Sequence, residues 1–423
     1  GDGLALRTSN SIIRGLVINR FAGAGISVSE VNNQIEGNFI GTDPTGTLDR
    51  GNGSDGIFVA NYTQPIGASN NTIGGSNPAA RNLISANGNG APGSPRNGIT
   101  LDQVVNTFIY GNYIGTNASG TAALGNYQTG IGIYRGATTV VGGSEPGQGN
   151  LISGNRVDGI GASDINQSGG HTIQGNLIGT DAQGNPTLGN QRHGISLVTR
   201  NYIIGGANPG EGNVIAGNGQ SGITIGYGVG NAIRGNAIFA NGGQGIDLGG
   251  NGVDVNDVGD SDGGANNGQN YPVIFSAISG DGGGVTVQAG MGGPAGTAYI
   301  VQFFTSPSCD ATGFGEGQSF LSDVLMTTNA EGVALLNTNF ESPPLEGNFL
   351  TATATENQPN GNSSEFSLCM PIQSDNTTWP NALDLTFSGP PEAQTANASQ
   401  FLTRRGEVRW YKLTVQASNT IMV

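Results

Sequence analysis

The feature that most constrains the fold of this chain is a stretch of 18 residues that occurs three times. "IEGNFIGTDPTGTLDRGN" at 35–52 returns as "IYGNYIGTNASGTAALGN" at 109–126 and as "IQGNLIGTDAQGNPTLGN" at 173–190. A Gly-Ile element recurs between and around these copies, and its isoleucines are Ile26, Ile57, Ile99, Ile131, Ile160, Ile195, Ile223 and Ile246. Repetition at such spacings is typical of solenoids, in which each unit covers the apolar side of the unit before it.

The repeats predict short strands rather than helices. Apolar residues alternate over a few positions and are separated by Asn-Gly, Gly-Asn or Gly-Gly corners. The 423 residues include 76 glycines and a single lysine, Lys412, so the charged faces of long helices are missing. We predict an all-β chain that begins, over residues 1–250, with a right-handed parallel β-helix of eight coils. At ~4.8 Å per coil its length is on the order of 40 Å, with isoleucines stacked and asparagines in hydrogen-bonded ladders.

The full repeat resembles a known family. It runs "N-x-I-x-G-N-x-I-G-T-(D/N)", then the Gly-Ile element, then "I-G-G" and "N-(L/V)-I-(S/A)-(G/A)-N". This pattern is similar to the right-handed β-helix repeats of large bacterial secreted and cell-surface proteins of the pectate-lyase-like superfamily. The resemblance covers residues 1–250 and implies the fold. It implies no single activity, because that fold carries lyases, hydrolases, epimerases, phage tailspikes and adhesins.

The acidic residue inside the repeated stretch predicts a turn. Asp43 and Asp181 align with Asn117 in the remaining copy. Aspartate and asparagine share the ability to hydrogen-bond nearby backbone in turns, whereas a catalytic acid would not tolerate asparagine. We therefore interpret "IGT(D/N)" as a structural element and not as a ligand signature.

No catalytic constellation is predicted on the solenoid. Its carboxylates are scattered singly, and no Asp-Asp or Asp-x-Asp pair occurs before residue 254, although a glycosidase needs two carboxylates at a defined separation. A lyase-type base stays open, because arginines are present at Arg96, Arg135, Arg156 and Arg192. We expect the two histidines, His171 and His193, at exposed and substitutable corners.

An acidic junction is predicted over residues 251–271, after the last Gly-Ile coil. Hard oxygen donors are denser here than anywhere else in the chain, and no lysine or arginine accompanies them. The predicted metal ligands are Asp254, Asn256, Asp257, Asp260 and Asp262. Ca²⁺ in a structural role is the expected cofactor, since it takes six to eight oxygens in flexible geometry. A solvated acidic linker without metal is the alternative.

The sequence pattern changes after the junction at residues 251–271. Longer alternating strands over residues 272–370 predict a β-sandwich, and the segment resembles the immunoglobulin-like module that often follows such repeats. Cys309 and Cys369 are expected to form a disulfide within it. Residues 371–423 resemble the start of a prepeptidase C-terminal-type β-sandwich through "WYK" at Trp410, Tyr411 and Lys412, and we expect a longer native polypeptide.

Charge and cysteine usage narrow the function. A net charge of −15 argues against a nucleic-acid partner, the disulfide implies an oxidising compartment, and no apolar run is long enough for a transmembrane segment. We expect a non-enzymatic extracellular or cell-surface protein whose rod is a spacer, a surface for polysaccharides or cell-surface glycans, or a unit that forms homo-oligomers or filaments through its coil ends. The alternative is a polysaccharide lyase or hydrolase that acts along the side of the rod.

Overall fold

A computed structural model describes residues 1–62, 67–90, 96–164, 169–280, 284–341, 348–374, 383–384 and 411–412. It confirms an all-β chain that begins with a parallel β-helix and continues into a β-sandwich. Three long parallel sheets form the sides of the rod, because each coil contributes one short strand to each sheet. The two short 3₁₀ turns in the described ranges are Pro78–Ala80 and Ala265–Gly268.

The first sheet of the rod has nine parallel strands, one more than the eight Gly-Ile elements predict. The additional strand is the first one, which comes from "LAL" and has no Gly-Ile element. In order, the strands are Leu4–Leu6, Ile26–Val28, Ile57–Ala60, Ile99–Asp102, Ile131–Ile133, Ile160–Asp164, Ile195–Thr199, Ile223–Tyr227 and Ile246–Leu248.

The second and third sheets have eight strands each. The second sheet consists of Ile12–Arg14, Gln34–Glu36, Thr72–Gly74, Phe108–Tyr110, Val140–Gly142, His171–Gln174, Tyr202–Gly205 and Ala232–Arg234. The third sheet consists of Val17–Ile18, Phe39–Ile40, Leu83–Ile84, Tyr113–Ile114, Leu151–Ile152, Leu177–Ile178, Val214–Ala216 and Ala237–Phe239. A small additional sheet pairs Val104–Val105 with Gly136–Ala137.

Isoleucine columns fill the interior of the rod. The eight Gly-Ile isoleucines pair in register from coil to coil, and each is at most 2% exposed. Burying one such side chain contributes about 1.5–3 kcal/mol. A strand of three residues cannot bury its apolar side alone, so the stacking itself stabilises each coil.

Two continuous asparagine ladders run beside these columns. The first lies between the second and third sheets and joins Asn38, Asn82, Asn112, Asn150, Asn176, Asn213 and Asn236. The second lies between the third and first sheets and joins Asn52, Asn87, Asn126, Asn155, Asn190, Asn218 and Asn241. In each rung, a side-chain amide donates to the Oδ1 atom of the next asparagine at 2.8–3.1 Å. The ladders satisfy buried backbone and amide groups at the corners where the chain turns.

The sandwich that follows the rod has two sheets of four strands. In spatial order, one sheet consists of Val333–Phe340, Val285–Gly292, Val273–Ser279 and Gln373–Ser374. The other consists of Ser319–Thr327, Ala298–Ser306, Phe349–Glu356 and Met370–Pro371. Their inner faces share one core that includes Val287, Tyr299, Phe303 and Leu350. Of the proposed third unit at 371–423, residues 371–374 pair with strands of the sandwich, and Leu383–Asp384 pairs in parallel with Tyr411–Lys412. The rest of that unit, including Trp410, lies outside the described residues.

Candidate metal site and the joint between rod and sandwich

The three "IGT" stretches form loops in which one side chain holds its own turn. Oδ1 of Asp43 accepts hydrogen bonds from the N–H groups of Thr47 at 3.0 Å and Leu48 at 2.9 Å. Asn117 and Asp181 accept backbone N–H groups of their own loops in the same way. Successive loops also hydrogen-bond each other through backbone groups. This geometry agrees with the structural interpretation of the repeated acidic position.

The prediction of an exposed corner is wrong for His171. Its side chain is buried, its ring is stacked on Tyr202 with the centroids 4.6 Å apart, and its Nδ1 atom accepts the N–H of Thr139 at 3.2 Å. Asparagine holds the equivalent acceptor position elsewhere, as in the bond from the N–H of Tyr202 to Oδ1 of Asn231. His171 therefore occupies an acceptor position that Asn231 holds in a later coil, outside the two ladders. Burial lowers its pKa to about 4.

His193 lies half-buried just before the strand Ile195–Thr199, beside acidic residues from other coils. Its backbone N–H donates to Oδ1 of Asp158 at 3.1 Å. Burial lowers the pKa of His193, while the charges of Asp158 and Asp247 act in the opposite direction. Burial raises the pKa of Asp158. Among the described residues, the buried Nδ1 atom of His193 has no hydrogen-bond partner.

Arg135, one of the arginines considered as a lyase-type base, forms an ion pair with Asp102. Its Nε and one terminal nitrogen donate to the two carboxylate oxygens of Asp102 at 2.6 and 2.7 Å. The hydroxyl of Tyr62 donates to the same carboxylate at 2.7 Å, and the guanidinium lies 5.4 Å from the Tyr62 ring centre. Because the guanidinium is protonated in proteins and the ion pair with Asp102 favours its charged form, Arg135 is poorly suited to abstract a proton.

The acidic junction brings three of the five predicted metal ligands together. One carboxylate oxygen from each of Asp257, Asp260 and Asp262 lies within 4.8 Å of the others. Burial raises the pKa of Asp260 to about 6, and the charges of Asp257 and Asp262 add to that effect. Hydrogen bonds from Ser261 lower the pKa of Asp257. The crowded carboxylates are hard oxygen donors of the kind that Ca²⁺ takes, so these three residues fit such an ion.

The other two predicted ligands have different roles. Asn256 forms a two-way pair with Tyr271, because its Nδ2 donates to the Tyr271 carbonyl at 2.8 Å and its Oδ1 accepts the Tyr271 N–H at 2.9 Å. Asp254 lies apart from the three grouped carboxylates and donates its backbone N–H to Glu365 at 3.1 Å. Asn256 thus fixes the base of the junction, and Asp254 belongs to its contact with the sandwich.

The sandwich covers the last coil of the rod. Backbone N–H groups of this coil donate to sandwich side chains, Gly230 to Asn362 at 2.7 Å, Ile233 to Ser363 at 2.7 Å and Leu248 to Glu365 at 2.9 Å. Phe304 and Phe366 of the sandwich belong to the same apolar core as the isoleucine columns. These contacts replace the coil that would otherwise come next.

Two buried glutamates of this joint have no counterpart in our sequence-based predictions. Glu316 accepts a hydrogen bond from the side chain of Asn241 at the end of the second ladder. Glu365 accepts hydrogen bonds from the backbone N–H groups of Leu248 and Asp254. Burial raises the pKa of Glu316 to about 7 and that of Glu365 to about 8. The available signal was their position as isolated acids in glycine- and serine-rich segments, "GEG" and "SSEFSLC".

The predicted disulfide between Cys309 and Cys369 is confirmed, and it joins two segments 60 residues apart. No helix within the described ranges has the length and hydropathy that crossing a bilayer requires. In comparisons with known proteins, neither a protein-family model nor a curated protein matches this chain.

Proposed function

We propose that this chain is a non-enzymatic structural and adhesive protein at the cell surface or outside the cell. The observation that carries the proposal is the use of polar side chains along the rod to hold coils together. The ladder asparagines and the turn residues Asp43, Asn117 and Asp181 all accept backbone or side-chain donors from their own architecture. A rod of this kind is suited to act as a spacer or as a surface for glycans.

Two finer assignments belong to the same proposal. Membership of the pectate-lyase-like superfamily is supported by the three parallel sheets, and an immunoglobulin-like sandwich is supported by the two packed sheets that follow. The disulfide supports an oxidising location. A bacterial cell-surface polypeptide would combine these features.

Self-assembly is the version of the proposal that concerns the ends of the rod. The sandwich covers the last coil, whereas the first coil exposes apolar side chains at Ile12, Leu16 and Val17. Copies of the chain would therefore pair through the first coil. Light scattering after size exclusion would measure this, with Ile12→Asp expected to reduce the mass of any oligomer to that of the monomer.

The adhesive and enzymatic functions are separated by a paired assay. Glycan-array binding and turnover of neutral and uronic-acid polysaccharides would be measured on the same preparation. We expect binding without release of unsaturated or reducing ends. Chain cleavage at a rate above that of a heat-denatured control would contradict the non-enzymatic proposal.

A polysaccharide lyase or hydrolase is the second candidate. One observation favours it, namely the electrostatic interaction of His193 with Asp158 and Asp247 on one face of the rod. If this face is catalytic, Asp158→Asn and His193→Ala abolish cleavage while the far-UV circular dichroism stays unchanged. If the rod is purely structural, the same two variants leave glycan binding elsewhere on its surface unaltered.

We also propose a structural Ca²⁺ ion at Asp257, Asp260 and Asp262. The support is the proximity of three carboxylates in a segment without a cationic side chain, together with the hard-donor chemistry of the set. When bound, the ion would supply positive charge that offsets the repulsion among the carboxylates. Because the ion would lie in the junction, its role would be to rigidify the connection between rod and sandwich and not to take part in catalysis.

A further inference from the structure

Glu316 of the sandwich takes the place of the next rung in the second asparagine ladder. The Nδ2 atom of Asn241 donates to Oε1 of Glu316 at 2.9 Å, and the Asn241 N–H lies 3.2 Å from Oε1 and 3.4 Å from Oε2. Asn218 makes the same two bonds to Oδ1 of Asn241, at 2.9 Å from its side chain and 3.1 Å from its N–H. The last rung thus crosses from the rod to the sandwich.

This last rung differs from the others in its chemistry. The seven asparagines of the ladder carry amides, which stay neutral at any pH of interest, whereas Glu316 carries a carboxyl group. The Glu316 residue is 8% exposed. A charge in that setting is costly unless a cation or several donors stabilise it.

Among the residues that the structure describes, no cationic side chain forms an ion pair with Glu316. Asn241 and the backbone N–H of Ala240 donate hydrogen bonds to the carboxyl group and lower its pKa, but burial has the larger effect and raises it. The ion pairs of the described residues, Arg14 with Glu36 and Arg135 with Asp102, lie elsewhere on the rod. The charged group that faces Glu316 is Asp310, another acid. The neighbouring sandwich strands contribute the hydroxyls of Ser306 and Thr351, which donate to the Glu316 backbone carbonyl at 3.1 and 3.0 Å and fix its loop.

A polar cavity of about 250 Å³ adjoins Glu316 at the end of the ladder. Ser306, Ser308, Asp310 and Gln318 are among its lining residues, together with Asn241 and Glu316 themselves. Oε1 carries the short bond to the ladder, so Oε2 is the oxygen available to hold a proton.

We propose that Glu316 is a proton-operated latch between the rod and the sandwich. With the carboxyl group neutral, Oε1 still accepts Asn241 and the joint is closed. With the carboxyl group ionised, a negative charge is buried beside Asp310 and the joint opens more often. Burial raises the pKa of Glu316 from 4.5 to about 7, so the stabilisation is complete below pH 4.5 and is lost as the pH rises through 7.

Amide hydrogen exchange of the full chain tests the latch. Protection factors, corrected for intrinsic exchange, would be measured from pH 5.0 to 8.5 at Asn241 and at the mid-rod strand Ile131–Ile133. We expect the opening constant at Asn241 to rise by up to about 10²-fold over this range, because a shift of this size changes the proton affinity by that order. The mid-rod amides are expected to show no matching rise.

Two variants identify the responsible group. Glu316→Gln keeps the acceptor without the charge, so protection at Asn241 becomes independent of pH. Glu331→Gln makes the same chemical change at an exposed position of the sandwich and is expected to behave as the wild type. A wild type with flat protection, or a Glu316→Gln variant with an undiminished pH dependence, would overturn the proposal.

A third variant separates the charge from the hydrogen bond. Glu316→Ala removes the acceptor, and we expect low protection at Asn241 at every pH. If Glu316→Ala does not fold, the comparison of wild type, Glu316→Gln and Glu331→Gln decides the matter alone. Protection in Glu316→Ala equal to that of the wild type at pH 5.0 would show that Glu316 does not hold the joint.

Discussion

The imidazole of His171 and the phenol of Tyr202 lie stacked inside the rod, with their centroids 4.6 Å apart and their planes 23° from parallel. Because burial lowers the pKa of His171 from 6.5 to about 4, the folded state favours the neutral ring. The resulting stability is present above pH 6.5 and is lost as the pH falls towards 4. We expect the free energy of unfolding to fall by up to about 3 kcal/mol more in the wild type than in His171→Asn over this range.

Denaturant titrations at pH 7.0, 5.5 and 4.5 would measure this difference. Asparagine is the matched replacement, because Asn231 serves as the same type of acceptor for the N–H of Tyr202. An identical pH dependence for the wild type and His171→Asn would show that the histidine is not protonated on unfolding in this range.

Replacement of one interior asparagine of a ladder is expected to destabilise the whole rod. Asn126 accepts the side chain of Asn87 at 3.1 Å and donates to Asn155 at 3.0 Å and to the carbonyl of Ile84 at 3.0 Å. Asn126→Ala leaves these buried partners without a bond, at a cost of about 2–5 kcal/mol. Chemical denaturation would measure the loss, with exposed Asn337→Ala as the control. A loss no larger than that of the control would mean that water or local rearrangement replaces the rung.

The turn at Asp43 provides a test that separates structure from chemistry. Asp43→Asn is expected to keep the melting temperature, because Asn117 holds the equivalent turn in the second loop. Asp43→Ala is expected to lower it, because Thr47 and Leu48 lose their acceptor. Differential scanning calorimetry of both variants would measure the effect. A lowered melting temperature in Asp43→Asn would show that the negative charge itself is needed.

The disulfide is expected to stabilise the sandwich more than the rod. Cys309 and Cys369 close a loop of 60 residues, for which the loop-entropy relation gives about 4 kcal/mol. The double variant Cys309→Ser, Cys369→Ser should therefore lose about that much stability in the sandwich transition. Hydrogen exchange would assign the loss by comparing Leu350 in the sandwich with Ile131 in the rod. Equal losses at both positions would indicate that rod and sandwich unfold as one unit.

The parts of the fold that repeat could be predicted from the sequence. The isoleucine columns and the asparagine ladders could be predicted because the same residue type returns in every coil. Parallel stacking then places identical side chains on top of each other. The role of His171 could not be predicted, because its position requires a hydrogen-bond acceptor for the N–H of Thr139 and not one particular residue type. The role of Glu316 could not be predicted either, because its partner Asn241 lies 75 residues earlier in a different domain.

The candidate metal site was predicted only in part, for a related reason. Local density of acids pointed to Asp257, Asp260 and Asp262, whose carboxylates lie close together. It could not distinguish them from Asn256, whose amide is used by the backbone of Tyr271. The distinction depends on how the junction folds back, which composition does not encode.

Calcium is expected to stabilise the junction. Asp257, Asp260 and Asp262 repel one another, and repulsion by the other two adds to the effect of burial in raising the pKa of Asp260. A bound ion removes this repulsion and stabilises the folded state according to its affinity and concentration, by about 2.7 kcal/mol at one hundred times Kd. Thermal unfolding of the full chain in excess calcium and in EGTA would show a higher melting temperature with calcium.

The double variant Asp257→Asn, Asp260→Asn is expected to abolish that difference, whereas Asp323→Asn, an exposed acid on the sandwich, should preserve it. Isothermal titration calorimetry with calcium alone gives the stoichiometry, which we expect to be one ion per chain. Because protonation of Asp260 competes with the ion and its pKa is about 6, the affinity should weaken as the pH falls below 6. A calcium effect that survives in the double variant would place the ion elsewhere in the chain.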